Sequence, residues 1–107
     1  MRSLNTGKNL LHWLASVDED GIAWLHLQTD GKSVNVLTHA VMAELESLVD
    51  QLEASEDLTG VAMLSGKPGG FVYGADIHEF ETLKTASDVA NHMLFVHGLF
   101  NRIEVLP

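Results

Sequence analysis

The sequence predicts a small α/β fold whose elements follow the order β-β-α-β-α. Residues 22–29 divide into two alternating faces, with the period of two that a strand requires. Residues 39–54 repeat apolar side chains at helical spacing. Residues 59–65 form a short apolar run after that helix, which favours a buried strand parallel to a neighbour.

The first two strands are predicted to form a β-hairpin. The turn sequence Asp18-Glu19-Asp20-Gly21 separates residues 10–17 from residues 22–29. Residues 10–17 are also compatible with a short helix, and that alternative stays open at this point. Residues 1–9 are polar, and we expect them to form a flexible N-terminus.

Capping residues and apolar stripes predict the helices. Thr38 is the expected N-cap of the first helix, and Thr85 or Ser87 of a second helix over 86–105. Asp76 is expected to cap a short helix that ends at Glu81. The acidic side chains of the first helix are predicted to form a solvated face: Glu44, Glu46, Asp50 and Glu53.

Composition excludes several classes of function. The 107 residues allow one domain, and 15 acidic against 6 basic side chains give a formal charge of −9. That balance argues against nucleic-acid binding, although helix N-termini still permit a phosphorylated small ligand. The chain has no cysteine, which excludes disulfides and thiolate chemistry. Without a secretory signal or a long apolar run, we expect a soluble, cytoplasmic protein with no membrane span.

Histidine and tryptophan predict structure rather than a metal site. His92 and His97 are five residues apart, which is poor spacing for one helical face, so no metal ligands are assigned. Trp13 and Trp24 are expected to pack in the core or the hairpin. Lys67 either meets a phosphate group or only occupies a turn.

A glycine-rich segment carries the strongest functional signal. The third predicted strand runs into Ser65-Gly66-Lys67, and the segment continues to Gly74-Ala75-Asp76 before a predicted helix. Free backbone N–H groups at such a helix start can stabilise a developing negative charge. The segment therefore predicts chemistry carried by main-chain groups.

The ordered set of elements over residues 20–107 resembles the crotonase superfamily of enoyl-CoA hydratases and isomerases. The set consists of the alternating strand, Asn35-Val36-Leu37, the acidic helix, the strand ending at Ser65-Gly66, and Gly74-Ala75-Asp76. Gly-Ala-Asp alone recurs by chance, whereas the ordered set is specific. The amino-acid sequence of residues 65–77 is most similar to that of multifunctional fatty-acid oxidation proteins, which join a hydratase domain to a 3-hydroxyacyl-CoA dehydrogenase domain.

The resemblance implies an oxyanion hole and an acyl-CoA site. It makes the backbone N–H of Ala75 one of two donors to the thioester carbonyl, and Gly74 permits a close approach of ligand to backbone. Asp76 would cap the following helix. The residues implied in binding substrate and CoA are Asn35, Val36, Leu37, Tyr73, Gly74, Asp76 and Ile77.

The resemblance also implies that residues 10–107 are the N-terminal portion of a larger crotonase-like (ClpP/crotonase) domain. The second oxyanion donor and the two catalytic acids would then follow Pro107, so we expect this chain alone to be inactive. It would need no cofactor of its own, and NAD would serve a downstream dehydrogenase domain. The implied partners are an acyl-CoA thioester, further copies of the chain, and a thiolase subunit in the intact complex.

Two alternatives remain at this point. The chain could derive from an enoyl-CoA isomerase or another crotonase. It could also be a non-catalytic interaction module whose contact surface lies on the last helix, at Met93, Val96, Phe100 and Ile103.

Overall fold

A computed structural model of the chain describes residues 2–4, 10–31, 35–67 and 84–107. Its elements, in chain order, are β1 (Arg2–Ser3), β2 (Trp13–Val17), β3 (Ile22–Leu27), α1 (His39–Glu53), β4 (Gly60–Ser65) and α2 (Ala86–Glu104). The predicted α/β class is confirmed. The predicted short helix at 76–81 lies outside the described residues.

The four strands form one sheet in the order β1-β2-β3-β4. β2 pairs antiparallel with β3, so the hairpin prediction is confirmed and the helical alternative for residues 10–17 is wrong. β3 pairs parallel with β4, with Ile22 opposite Gly60 and Leu27 opposite Ser65. A parallel pair needs a crossover connection, which α1 supplies.

The hairpin turn is held by one carboxylate. Asp18 accepts hydrogen bonds from the N–H groups of Asp20 (2.9 Å) and Ile22 (3.1 Å), and from the indole N–H of Trp24 (2.8 Å). The Trp24 hydrogen bond, followed by the backbone N–H donors, lowers the pKa of Asp18 below its ordinary value. Gly21 completes the turn with a φ of 84°, a conformation that glycine adopts without steric cost.

α1 covers one face of the sheet. Thr38 caps the helix as predicted, because its hydroxyl accepts the Val41 N–H at 3.1 Å. The apolar stripe of α1 packs against the buried strand residues, and Trp13 in that core donates its indole N–H to the Val41 carbonyl at 3.0 Å. The buried residues of α1 are Val41, Met42, Leu45, Leu48, Val49 and Leu52.

The start of the chain corrects the prediction of a flexible N-terminus at residues 2–4. Arg2 and Ser3 pair with β2, and Leu4 is 6% exposed within the core. The Leu4 N–H also donates to the Ala15 carbonyl at 3.0 Å. The polar sequence does not predict this strand, because the strand is stabilised by pairing with the edge of β2 and by the burial of Leu4.

Glu44 corrects the prediction of a uniformly solvated acidic face. Its carboxylate is largely buried and accepts the backbone N–H groups of Leu11 (3.2 Å) and His12 (3.0 Å). The carboxylate therefore fastens the segment before β2 onto α1.

α2 lies against α1 through Leu99 and an ion pair. Arg102 contacts Asp50 at 2.6 Å and Glu53 at 2.6 Å. Its hydrogen bonds lower the pKa of Glu53 and raise the pKa of its own guanidinium. Of the helices that the structure describes, none has the length and apolar character to span a membrane.

Candidate functional site

The candidate site lies where the carboxyl ends of the parallel strands β3 and β4 meet. Leu27 and Ser65 are register partners there, and the Gly66 N–H extends the pairing by donating to the Leu27 carbonyl at 2.9 Å. Open α/β sheets bind ligands outside the carboxyl ends of their strands. The glycine-rich segment starts at this end.

The Asn35 side chain hydrogen-bonds the carboxyl ends of both β3 and β4. Its side chain is fully buried, at 0% exposure. The side-chain oxygen accepts the Thr29 N–H at 2.9 Å, and the side-chain nitrogen donates to the Leu27 carbonyl (2.9 Å) and the Ser65 hydroxyl (3.0 Å). The Asn35 amide therefore makes three hydrogen bonds to groups within the fold.

Ser65 connects Asn35 to the start of the glycine-rich segment. Its hydroxyl accepts from Asn35 and from the Lys67 N–H (3.1 Å), and it donates to the Lys67 carbonyl (2.9 Å). One O–H and two lone pairs are all that a serine hydroxyl offers, so these contacts use its full capacity. The hydroxyl closes a tight turn around Gly66.

The turn also contacts two neighbouring residues at the end of β3. The exposed Gln28 side chain lies against Gly66, where an added Cβ would require that side chain to move. The Lys67 ammonium donates to the Thr29 carbonyl. This contact ties the turn to the end of β3, and the alternative that Lys67 meets a phosphate group stays a prediction.

The segment 35–37 is held by Thr29 as well. The Thr29 hydroxyl donates to the Val36 carbonyl (3.0 Å) and accepts the Val36 N–H (3.2 Å), while Leu37 packs against the core. His12 steadies the same region, because its Nδ1 accepts the Asp30 N–H at 2.9 Å. Segment 35–37 is therefore placed beside the carboxyl ends of β3 and β4.

The structure places part of the predicted site. Asn35, Val36 and Leu37 lie together at the sheet end, with the Asn35 side chain turned into the fold. The other predicted site residues, Tyr73, Gly74, Ala75, Asp76 and Ile77, lie outside the described residues. The ligand contacts assigned to all eight stay predictions.

Sequence reasoning missed the hydrogen-bond roles of Thr29 and Ser65. The sequence gives one indication of these roles, which is position. Ser65 is the last residue of β4, and Thr29 follows the end of β3 by two residues. Within the described ranges, no group of three or more His, Asp or Glu side chains is arranged to hold a metal ion.

Comparison with known proteins identifies relatives by sequence. The chain is 36% identical over 90 residues to a fatty acid oxidation complex subunit alpha of Idiomarina loihiensis, covering 84% of this chain and 13% of that protein. It is 33% identical to the subunit of the same name in Shewanella halifaxensis, covering 83% and 13%. The chain thus spans about an eighth of these relatives. No protein-family model matches it.

Comparison with solved structures identifies the fold. An enoyl-CoA hydratase of Geobacillus kaustophilus superposes with a TM-score of 0.80 at 23% identity, covering 94% of this chain and 36% of the hydratase. An enoyl-CoA hydratase of Mycobacterium smegmatis gives 0.79 at 22% identity, covering 94% and 37%. The described elements are therefore a part of the crotonase fold, within a longer chain in each solved structure.

The solved structures show that the chain has part of the crotonase fold. By sequence the chain is similar to the alpha subunits of fatty acid oxidation complexes. The predicted resemblance and the predicted partial crotonase fold are confirmed.

Proposed function

We propose that this chain forms part of the enoyl-CoA hydratase site of a longer fatty-acid oxidation protein. The reaction is the addition of water to a trans-2-enoyl-CoA, which yields a 3-hydroxyacyl-CoA. The observation that carries the proposal is the 36% identity to a fatty acid oxidation complex subunit alpha over 84% of the chain. The joined ends of β3 and β4 support it, since they lead directly into the segment that contains Gly-Ala-Asp.

The proposed chemistry is electrostatic and uses the main chain. Attack of water on the β-carbon of a conjugated thioester places negative charge on the carbonyl oxygen, giving an enolate. The Ala75 N–H is proposed as one donor to that oxygen, and loss of one such donor typically costs about 2.7–4 kcal/mol of barrier. Gly74 would permit the close approach, and Asp76 would hold the helix start.

The proposed ligand surface combines segment 35–37 with Tyr73 and Ile77. The buried Asn35 amide already bonds Thr29, Leu27 and Ser65, so it would shape this surface from within. The second oxyanion donor and the acids that move water and protons would come from other parts of the longer protein.

The wider setting is proposed from the same relatives. The longer protein would carry an NAD-dependent 3-hydroxyacyl-CoA dehydrogenase, assemble from several copies, associate with a thiolase subunit and act in the cytoplasm. An isomerase or another crotonase reaction remains the near alternative, because the same oxyanion donor would serve it. The acids elsewhere in the longer protein separate these reactions.

Calorimetric titration of the 107-residue chain with acetoacetyl-CoA tests the proposal. We expect saturable binding, and we expect Ala75→Pro, which removes the N–H, to weaken it about tenfold or more. Ala75→Ser retains the N–H and serves as the matched control. Absence of binding to the wild-type chain would contradict the proposal for this chain.

A non-catalytic interaction module is the second candidate, and an observation on α2 favours it. Of the predicted contact surface, Phe100 is 39% exposed, whereas Val96 and Ile103 pack against the core, which corrects that part of the prediction. Leu94 on the same helix (71% exposed) and Val105 after it (81%) are further exposed apolar residues, and such residues can mark a contact surface. Stable self-association without acetoacetyl-CoA binding would select this candidate.

A further inference from the structure

We propose that Asn35 and Ser65 act together as positioning residues for the thioester site. Their hydrogen bonds set the direction in which the chain leaves β4 at Gly66 and Lys67, and so where the glycine-rich segment starts. This inference rests on the proposed function, because it assigns these contacts a role in placing a bound acyl-CoA.

The hydrogen bonds between Asn35, Ser65 and their neighbours form a complete set. The Ser65 hydroxyl has both lone pairs and its proton engaged, and the Asn35 amide bonds the ends of both strands. Asn35 is fully buried, which shields its amide from water, whereas the hydrogen bonds of the Ser65 hydroxyl are partly buried. A polar network whose groups are all satisfied rigidifies the residues it joins.

Asn35 and Ser65 also link two segments that are distant in sequence. Asn35 starts segment 35–37, whereas Ser65 ends β4 and precedes Lys67. A single hydrogen bond of 3.0 Å, between the Asn35 amide and the Ser65 hydroxyl, thus couples the two segments that the family resemblance assigns to acyl-CoA. Displacement of one segment is transmitted to the other through this bond.

The opposite end of the same strand pair offers a matched contact without that link. There the Thr59 hydroxyl donates to the Asp20 carbonyl at 2.7 Å, and the Thr59 N–H donates to the Gly21 carbonyl at 2.9 Å. A strand rises about 3.3 Å per residue, so this contact at Thr59 lies about 20 Å from Ser65. Both hydroxyls stabilise the pairing of β3 with β4, yet only Ser65 borders the proposed site.

The test uses four versions of the 107-residue chain: wild type, Ser65→Ala, Ser65→Thr and Thr59→Val. Affinity for acetoacetyl-CoA is measured by calorimetry, and stability by urea unfolding. We expect Ser65→Ala to raise Kd about tenfold, because the turn that leads into the proposed site loses the hydrogen bonds of the Ser65 hydroxyl. Ser65→Thr restores the hydroxyl and should keep Kd within about twofold of wild type.

The Thr59→Val control separates positioning from general stability. It should lower the urea midpoint while leaving the Kd for acetoacetyl-CoA within about twofold of wild type. An unchanged Kd for Ser65→Ala, or an equal loss of affinity in Thr59→Val, would overturn the proposal.

Amide exchange of Lys67 gives a readout that does not need the ligand. Its N–H donates to the Ser65 hydroxyl, so Ser65→Ala should accelerate its exchange about tenfold, while Thr59→Val should not. If wild type fails to bind acetoacetyl-CoA, the ligand part falls together with the proposed function. The Lys67 exchange rate then decides whether Ser65 sets the turn, and an unchanged rate would refute that as well.

Discussion

Replacement of Glu44 by alanine should destabilise the fold, although Glu44 is one of the acidic residues of α1 that the sequence predicts to be solvated. Its carboxylate accepts the N–H groups of Leu11 and His12 at 3.2 and 3.0 Å. These bonds attach the segment before β2 to α1. Glu44→Ala therefore removes both hydrogen bonds, together with the 3.8 Å approach of the Glu44 carboxylate to His12 Nε2.

The expected loss follows from the exposure of the two donors. The Leu11 N–H is exposed, so water replaces the carboxylate there at little cost, whereas the His12 N–H is partly buried. A hydrogen bond to a charged group contributes about 1.5–3 kcal/mol when its loss leaves a buried donor unsatisfied. Alanine returns up to about 0.7 kcal/mol through helix propensity. The free energy of unfolding should therefore fall by about 1–2.5 kcal/mol.

Urea unfolding followed by circular dichroism measures this change. Glu46 lies on the same helix and its side chain makes no hydrogen bond to another described residue, so Glu46→Ala is the control, with an expected change within about 0.5 kcal/mol. Glu44→Gln keeps one acceptor for the His12 N–H and should lie between wild type and Glu44→Ala. Equal effects of Glu44→Ala and Glu46→Ala would refute the reasoning.

Two further predictions concern the hairpin turn. Because the pKa of Asp18 lies below its ordinary value of 3.8, its stabilisation is complete above that pH and is lost as pH falls through the lowered pKa. Asp18→Asn should flatten the loss of unfolding free energy below about pH 4, and an acid profile identical to wild type would contradict the contact with Trp24. Gly21→Ala combines a positive φ with a Cβ only 2.5 Å from the Asp57 carbonyl, whereas Gly31→Ala has a positive φ and open space. Thermal unfolding should show a loss of about 1–2 kcal/mol for Gly31→Ala and about 1–3 kcal/mol more for Gly21→Ala, and equal losses would contradict the clash.

Local periodicity explains why the main elements could be predicted. Ala23, Leu25 and Leu27 alternate with less buried neighbours, and strand geometry alone sends such residues to one face. Thr38 was predictable as a cap for the same reason, since its hydroxyl reaches an N–H only three residues away.

Contacts between distant residues explain what could not be predicted. A carboxylate on a helix looks solvated in sequence, and the donors to Glu44 lie 32 and 33 positions earlier. β1 depends on the edge of β2, which no pattern within residues 1–9 indicates.

In the candidate site, too, the local motif could be predicted and the contacts between distant residues could not. The motif at residues 35–37 indicated where this segment belongs, but not that the Asn35 side chain turns inward. Its partner Ser65 is 30 positions away, and the bond exists only because β3 and β4 pair.

The parallel pairing of β3 with β4 also has a consequence for the order of folding. The hairpin closes a short loop, whereas the β3–β4 pair must first enclose the whole of α1, and contacts distant in sequence form more slowly. On a growing polypeptide, β3 keeps an open edge until residue 65 has been synthesised, and an open edge invites pairing with other chains. The bond between Asn35 and Ser65 joins residues 30 positions apart, so the proposed site depends on the same long-range pairing that closes this edge.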